Sequence, residues 1–179
     1  MIRIHNMSTV ALILIAPFLI YYPYKAFEWQ LNMSFLDPQR WLSSGWVEAG
    51  AEIAPLTRVV YFLVWSPAVV AGILSLLAAG CVAWFFRNGV LFDDRVARAI
   101  MWAGRFTIAS SGIHIFAACV SPMIVSWHNP SGPLPLPLPL RFWFSSAHCL
   151  IIFCGMAFLL LGAVMREAIK MARENEEFV

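Results

Sequence analysis

The chain has 179 residues, of which 61% are hydrophobic and 12% charged, about half the charged share of an average soluble domain. That composition leaves no material for a separate water-soluble domain, and a formal net charge of +2 is too small to suggest that the protein binds nucleic acid directly. One membrane domain, with the lipid bilayer as its first partner, is the expectation.

Four apolar runs, residues 7–24, 59–86, 106–127 and 142–165, are each long enough to cross a bilayer. A hydrocarbon core of about 30 Å needs about 20 helical residues, and within it every backbone polar group must be paired inside its own segment. The expected fold class is therefore all-α, an integral membrane bundle of four transmembrane helices. Arg3, Arg87, Arg95, Arg98, Arg105, Arg166, Lys170 and Arg173 fall on one side of such a bundle, and Lys25, Arg40, Arg58 and Arg141 on the other. Basic residues stay in the cytoplasm. Both termini and the hairpin at 87–105 are thus expected inside, with external loops at 25–58 and 128–141 and a cytosolic tail at 166–179.

The first run follows Arg3 as a secretory signal would, but Tyr21, Tyr22, Pro23, Tyr24 and Lys25 come after it where small residues would form a cleavage site. It is expected to remain as a span, kinked at Pro17, which removes a hydrogen bond to Ile13. The external loop that follows carries Trp29, Trp41 and Trp46 among Glu28, Asp37, Glu48 and Glu52, with Ser43 and Ser44 between two of the tryptophans. Amphipathic tryptophans favour the membrane interface, so short surface helices are expected there.

Span two carries Ala71, Ser75 and Ala79 at four-residue spacing, a ladder of small residues on which another helix packs closely, and its Pro67 frees the carbonyl of Leu63. Asn88-Gly89 supplies the turn into span three. Asp93 and Asp94 then stand where a helix N-terminus favours negative charge, followed by Arg98 and Arg105 seven residues apart on one face. Arg105, at the start of the apolar run, is expected to snorkel to lipid headgroups.

The link from Asn129 to Arg141 contains four Pro-Leu repeats, Pro133 to Leu140. It is read as a polyproline II spacer of about 25 Å at about 3.1 Å per residue. Beyond span four, Met165, Ala168, Ile169 and Ala172 form an apolar stripe, so the helix should leave the membrane intact and lay that stripe on something. The residues expected to meet a cytosolic partner are Ile169, Phe178 and Val179 of this tail, with Arg95 and Arg98 of the hairpin.

Cys81, Cys119, Cys149 and Cys154 all lie inside spans and should behave as small hydrophobes without forming disulfides. Cys149 and Cys154 are about 140° apart around a helix, which argues against a shared metal. Two intramembrane histidines remain, His114 on span three and His148 on span four. As a pair they could ligate haem b or serve a small transport protein. However, His114 stands about 20 Å below Trp127 and His148 about 9 Å below Phe142, and a mismatch of about 10 Å is too great for one iron. With Ser110 and Ala118 on its face, His114 reads instead as interhelical hydrogen-bonding glue. Ser145 and Ser146 beside His148 invite a hydrolase reading, yet no acid at that depth would orient the imidazole. No catalytic residue, cofactor or metal is assigned, and an enzyme is not expected.

Two stretches have a recognisable pattern: Gly89-Val90-Leu91-Phe92 followed by Arg95 to Gly104, and Arg166-Glu167-Ala168 through Glu174-Asn175-Glu176-Glu177-Phe178-Val179. In these and in the order of its spans the chain resembles the YoaS-like four-span bacterial membrane proteins, the family of domain of unknown function 2975. The Pro-Leu repeats and the two histidines are not part of that likeness. The resemblance implies a protein of the bacterial cytoplasmic (inner) membrane encoded beside a small helix-turn-helix regulator, and no catalytic residue. The expected function is accordingly regulatory, a membrane protein holding a cytosolic partner such as that transcriptional regulator, with homo-oligomerisation left open.

Overall fold

The computed structural model describes residues 2–32, 45–48, 53–133 and 146–176. Four long helices make up most of them: α1 (Ile2–Leu31), α2 (Pro55–Arg87), α3 (Asp94–Val125) and α4 (Ser146–Glu176). A 3-10 turn, Ser126–His128, extends α3. No strand occurs among the described residues. All four helices are long and apolar enough to cross a membrane, so the chain is a multi-pass membrane protein by length and composition. Trp41, Ser43, Ser44, the Pro-Leu repeats beyond Pro133, Ser145, Phe178 and Val179 lie outside the described residues.

Among the described residues extended packing joins successive helices, α1 to α2, α2 to α3 and α3 to α4. The bundle is consequently open along the seam between α1 and α4. There Met7, Ala11, Phe86, Ile100, Phe158 and Leu161 line an apolar groove of about 560 Å³. Burial of the most apolar window is 33% in α3, 11% in α2 and α4, and 0% in α1, which makes α3 the central helix. The outward side chains of α1 and α4, among them Leu14, Phe18, Phe153 and Leu160, are exposed apolar groups suited to lipid.

The turn from α2 to α3 is built locally. Gly89 at φ +76 allows a Schellman ending, with Val90 N–H donating to the Phe85 carbonyl (3.0 Å) and Gly89 N–H to that of Phe86 (3.2 Å). Asp93 then caps α3, its Oδ1 accepting from Arg95 N–H at 2.7 Å. This end of the bundle is called the hairpin end, and the opposite one the loop end.

Helix α1 runs seven residues beyond Tyr24 into the stretch expected as external loop. Pro23 costs it one bond, to the Leu19 carbonyl. The added turns are held by packing against α2, through Phe27 on Phe62 (ring centroids 6.4 Å apart) and Trp29 on Trp65 (5.1 Å). The Lys25–Glu28 ion pair (2.7 Å) is exposed and adds little.

Between α2 and α3 the contacts are polar steps on small residues. Thr107 Oγ1 donates to the Ala103 carbonyl at 2.8 Å and lies 2.6 Å from Ser75 Oγ, while Ser110 Oγ donates to the Ala68 carbonyl at 3.0 Å. Two rungs of the Ala71-Ser75-Ala79 ladder, buried Ala71 and bonded Ser75, thus belong to this interface. At the loop end, Asn129 Nδ2 donates to the Trp46 carbonyl (3.0 Å) and its Oδ1 accepts from Glu48 N–H (3.1 Å). That clasp seats Val47 in a buried cluster with Tyr61, Trp65, Ala117, Ala118 and Val125. Trp46 packs against the same cluster instead of lying on the membrane surface as expected.

Candidate functional site: the histidine pair and its tryptophan

Glycine sets the approach of α3 to α4. A Cβ on Gly104 would stand 2.7 Å from the Gly155 carbonyl oxygen, one on Gly155 2.6 Å from Ile108 Cγ1, and one on Gly162 3.1 Å from the Ala97 carbonyl oxygen. The backbones touch, as small residues permit in lipid. In that antiparallel register, moving about two turns toward the loop end from Gly155 and Ile108 brings His148 beside His114. Their ring centroids are 5.0 Å apart with the planes inclined at 44°.

The depth mismatch expected between the two histidines is therefore corrected. It assumed that Trp127 and Phe142 mark one level, whereas His148, in the first described turn of α4, lies level with His114, which is eleven residues short of the end of α3.

Trp65 of α2 completes the group. Its ring meets that of His114 edge-on at 4.7 Å and 88°, and its Nε1–H donates to Ser121 Oγ at 2.8 Å. Ser121 in turn donates to the Ala117 carbonyl at 2.6 Å, a bond within α3 just before Pro122. Trp29 of α1 and Tyr61 of α2 pack on the same indole, at 5.1 and 6.1 Å. One aromatic and imidazole cluster thereby links all four helices. Among the described residues no group of three or more His, Cys, Asp or Glu side chains could hold a metal ion.

Haem does not fit this arrangement of the pair. Two imidazoles sharing one iron, each nitrogen about 2 Å from it, need ring centroids about 6 Å apart with a macrocycle between them. The observed rings are nearer than that, tilted, and one is covered by Trp65. What the cluster does provide is interhelical contact between rings and hydroxyls inside a span, where polar groups gain from mutual pairing.

Of the residues expected to meet a partner, the described ones, Arg95, Arg98 and Ile169, lie at the hairpin end. Arg95 and Arg98 are exposed on the first turns of α3. Ile169 is only 4% exposed, on the inner side of α4, so this member of the tail's apolar stripe is taken up within the protein, while Ala168 and Ala172 remain exposed. Further along the same tail, Arg173 Nη2 lies 3.2 Å from Asp94 Oδ2.

Trp65, Ser121 and the three packing glycines were not singled out from the sequence. Trp65 carried a signal, since an indole N–H within an apolar run rather than at its boundary demands a partner. The glycines showed none, because a close approach needs both surfaces and these are separated by about fifty residues. No protein-family model, curated protein or solved structure matches the chain.

Proposed function

We propose that the protein is a regulatory or interaction protein of the bacterial cytoplasmic membrane, which holds a soluble partner against its hairpin and C-terminal helix. In this reading both termini face the cytoplasm. Arg87, Arg95, Arg98, Arg105, Arg166, Lys170 and Arg173 all stand at the hairpin end, whereas Lys25 and Arg58 stand at the other. The observation that carries the proposal is the Asp94–Arg173 pair at 3.2 Å. It ties the tail of α4 to the start of α3, so that hairpin and tail present one surface instead of two independent segments.

The partner-facing side of the tail differs from the expected one. Ile169 is turned inward, and Met171, 61% exposed and about 200° further round the helix, is turned outward. Phe92, 76% exposed, offers a second apolar contact in the hairpin, with Arg95 nearby. The resemblance described above suggests a helix-turn-helix regulator as occupant. Coexpression with the helix-turn-helix regulator that the resemblance implies beside it tests this: wild type should copurify with the regulator and Met171→Glu should not, while both insert equally. Failure of the wild type to retain that regulator removes the proposal.

A second class of function, transport through the His114–His148 pair, rests on the ring contact at 5.0 Å. Packing glue would produce the same contact. The regulatory reading is preferred because the hairpin and tail form a solvent-side surface that packing within the membrane does not require.

A further inference from the structure

Along α3, positions 94, 98, 102 and 105 follow one another at the three- and four-residue spacing of a single helical stripe. This stripe flanks the interface with α4. Across from it Arg166 projects from α4, and together Asp94, Arg98, Met101, Trp102, Arg105 and Arg166 line a cleft of about 330 Å³ at the hairpin end. Three guanidinium groups therefore border one cleft with a single carboxylate. That carboxylate is already engaged, since Asp94 Oδ2 is 3.2 Å from Arg173. Among the described residues no carboxylate lies within ion-pair distance of Arg98, Arg105 or Arg166. Glu167 and Glu174 line only the neighbouring cleft around Lys170, with Glu174 3.9 Å from Lys170.

Arginines that merely reach for water spread apart along a surface. These three instead converge from two helices on one space. Arg105 is steadied there, its guanidinium carbon 5.0 Å over the Trp102 ring, which is itself stacked on Phe106 at 5.3 Å. The level is also informative, because Arg105 directly precedes the apolar run of α3 and Arg166 directly follows that of α4. Like charges gathered at headgroup depth are relieved by an anion, and the guanidinium fork matches phosphate oxygens in pairs. Basic pockets between spans are where lipid phosphates bind.

We propose that this cleft binds a phosphate group, with Arg98, Arg105 and Arg166 holding its oxygens and Trp102 forming one wall. The phosphate belongs either to an anionic lipid headgroup or to a soluble phosphate, and the two sources share this chemistry. The site borders the partner surface, sharing Asp94 and Arg98 with it, while Arg105 and Arg166 belong to the cleft alone.

The test uses the full chain in nanodiscs of phosphatidylcholine, with and without phosphatidylglycerol, and measures the lipid retained in native mass spectrometry. Inorganic pyrophosphate is the soluble probe, followed by its shift of thermal unfolding in detergent. Wild type should retain phosphatidylglycerol over phosphatidylcholine or be stabilised saturably by pyrophosphate. The double variant Arg105→Gln with Arg166→Gln should weaken the effect at least about tenfold, as loss of a charge-assisted bond implies. Arg87→Gln, which removes a charge from the same end but not from the cleft, should leave it unchanged.

Selective lipid retention that pyrophosphate does not displace identifies the headgroup as source, and saturable stabilisation by pyrophosphate without lipid selectivity identifies a soluble phosphate. Equal retention of the two lipids together with no effect of pyrophosphate overturns the proposal. So does an equal loss in Arg87→Gln, which would reduce the effect to general charge. Should the double variant not fold, Arg105→Gln alone, on an exposed side chain, serves the same comparison.

Discussion

The rings of His114 and His148 lie 5.0 Å apart, although 34 positions and the whole loop-end connection separate them in the chain. The contact depends on the register of α4 against α3, which three glycines further along the same interface hold at backbone contact.

Gly155 is accordingly a position where a side chain is poorly tolerated. A Cβ there would meet Ile108 Cγ1 at 2.6 Å and the Gly104 carbonyl oxygen at 3.0 Å, and backbone has nowhere to go. Gly155→Val should lower stability by about 1–3 kcal/mol, the usual cost of overpacking. Gly112→Ala, with nothing within 4 Å of the added carbon, should be neutral or slightly stabilising, since alanine favours helix. Unfolding in mixed detergent compares them, and equal stability of the two variants would contradict the close packing of α3 on α4.

The histidine cluster is expected to act as glue. His114→Asn keeps hydrogen-bonding capacity and should be tolerated, while His114→Leu should cost about 1 kcal/mol. Trp65→Phe removes the donor to Ser121 and should cost a similar amount, coupled to Ser121→Ala by about 0.6 kcal/mol in a double-mutant cycle. If both His114 variants abolish function while thermal stability in detergent stays unchanged, the cluster has a proton or ligand role.

The purified protein should show no Soret band, because the His114 and His148 rings are too close and too inclined for an iron between them. A visible spectrum with haem features that vanish in His148→Ala would reverse that conclusion and restore the redox reading.

The proposed orientation rests on the arginines at the hairpin end. In a background lacking native cysteines, cysteine at Ser131, beside the clasp of Asn129 on Glu48, should react with an impermeant thiol reagent added outside intact cells. Cysteine at Asn88, in the hairpin turn, should not react. The opposite pattern inverts the protein and moves its partner surface to the other compartment.

The tail divides into a structural and an open face. Ile169→Glu places a charge at a site 4% exposed and should loosen the end of α4 by several kcal/mol locally, whereas Met171→Glu on the exposed face should leave the fold intact. The Asp94–Arg173 pair is itself solvent-exposed, with side chains 38% and 65% accessible, so Arg173→Gln should cost no more than about 1 kcal/mol. Hydrogen exchange of residues 166–176 reads all three. Faster exchange in Met171→Glu than in Ile169→Glu would mean that the two faces have been exchanged.

Much of the architecture was legible in the order of residues because it rests on local causes. Long apolar runs must be helices in lipid, Asn88-Gly89 permits the left-handed turn that ends α2, and Asp93 caps the helix that follows. The length of α1 past Tyr24 was not legible, since Phe27 and Trp29 are helical only by virtue of what α2 places against them. Ile169 belonged to an apolar stripe legible in the tail, yet only the fold showed that Ile169 itself is covered and that Met171 faces outward. The depth of His148 was decided by Gly104, Gly155 and Gly162. Hydropathy measures how far a segment can span, but register between two helices depends on where their backbones can touch, and that is a property of both surfaces at once.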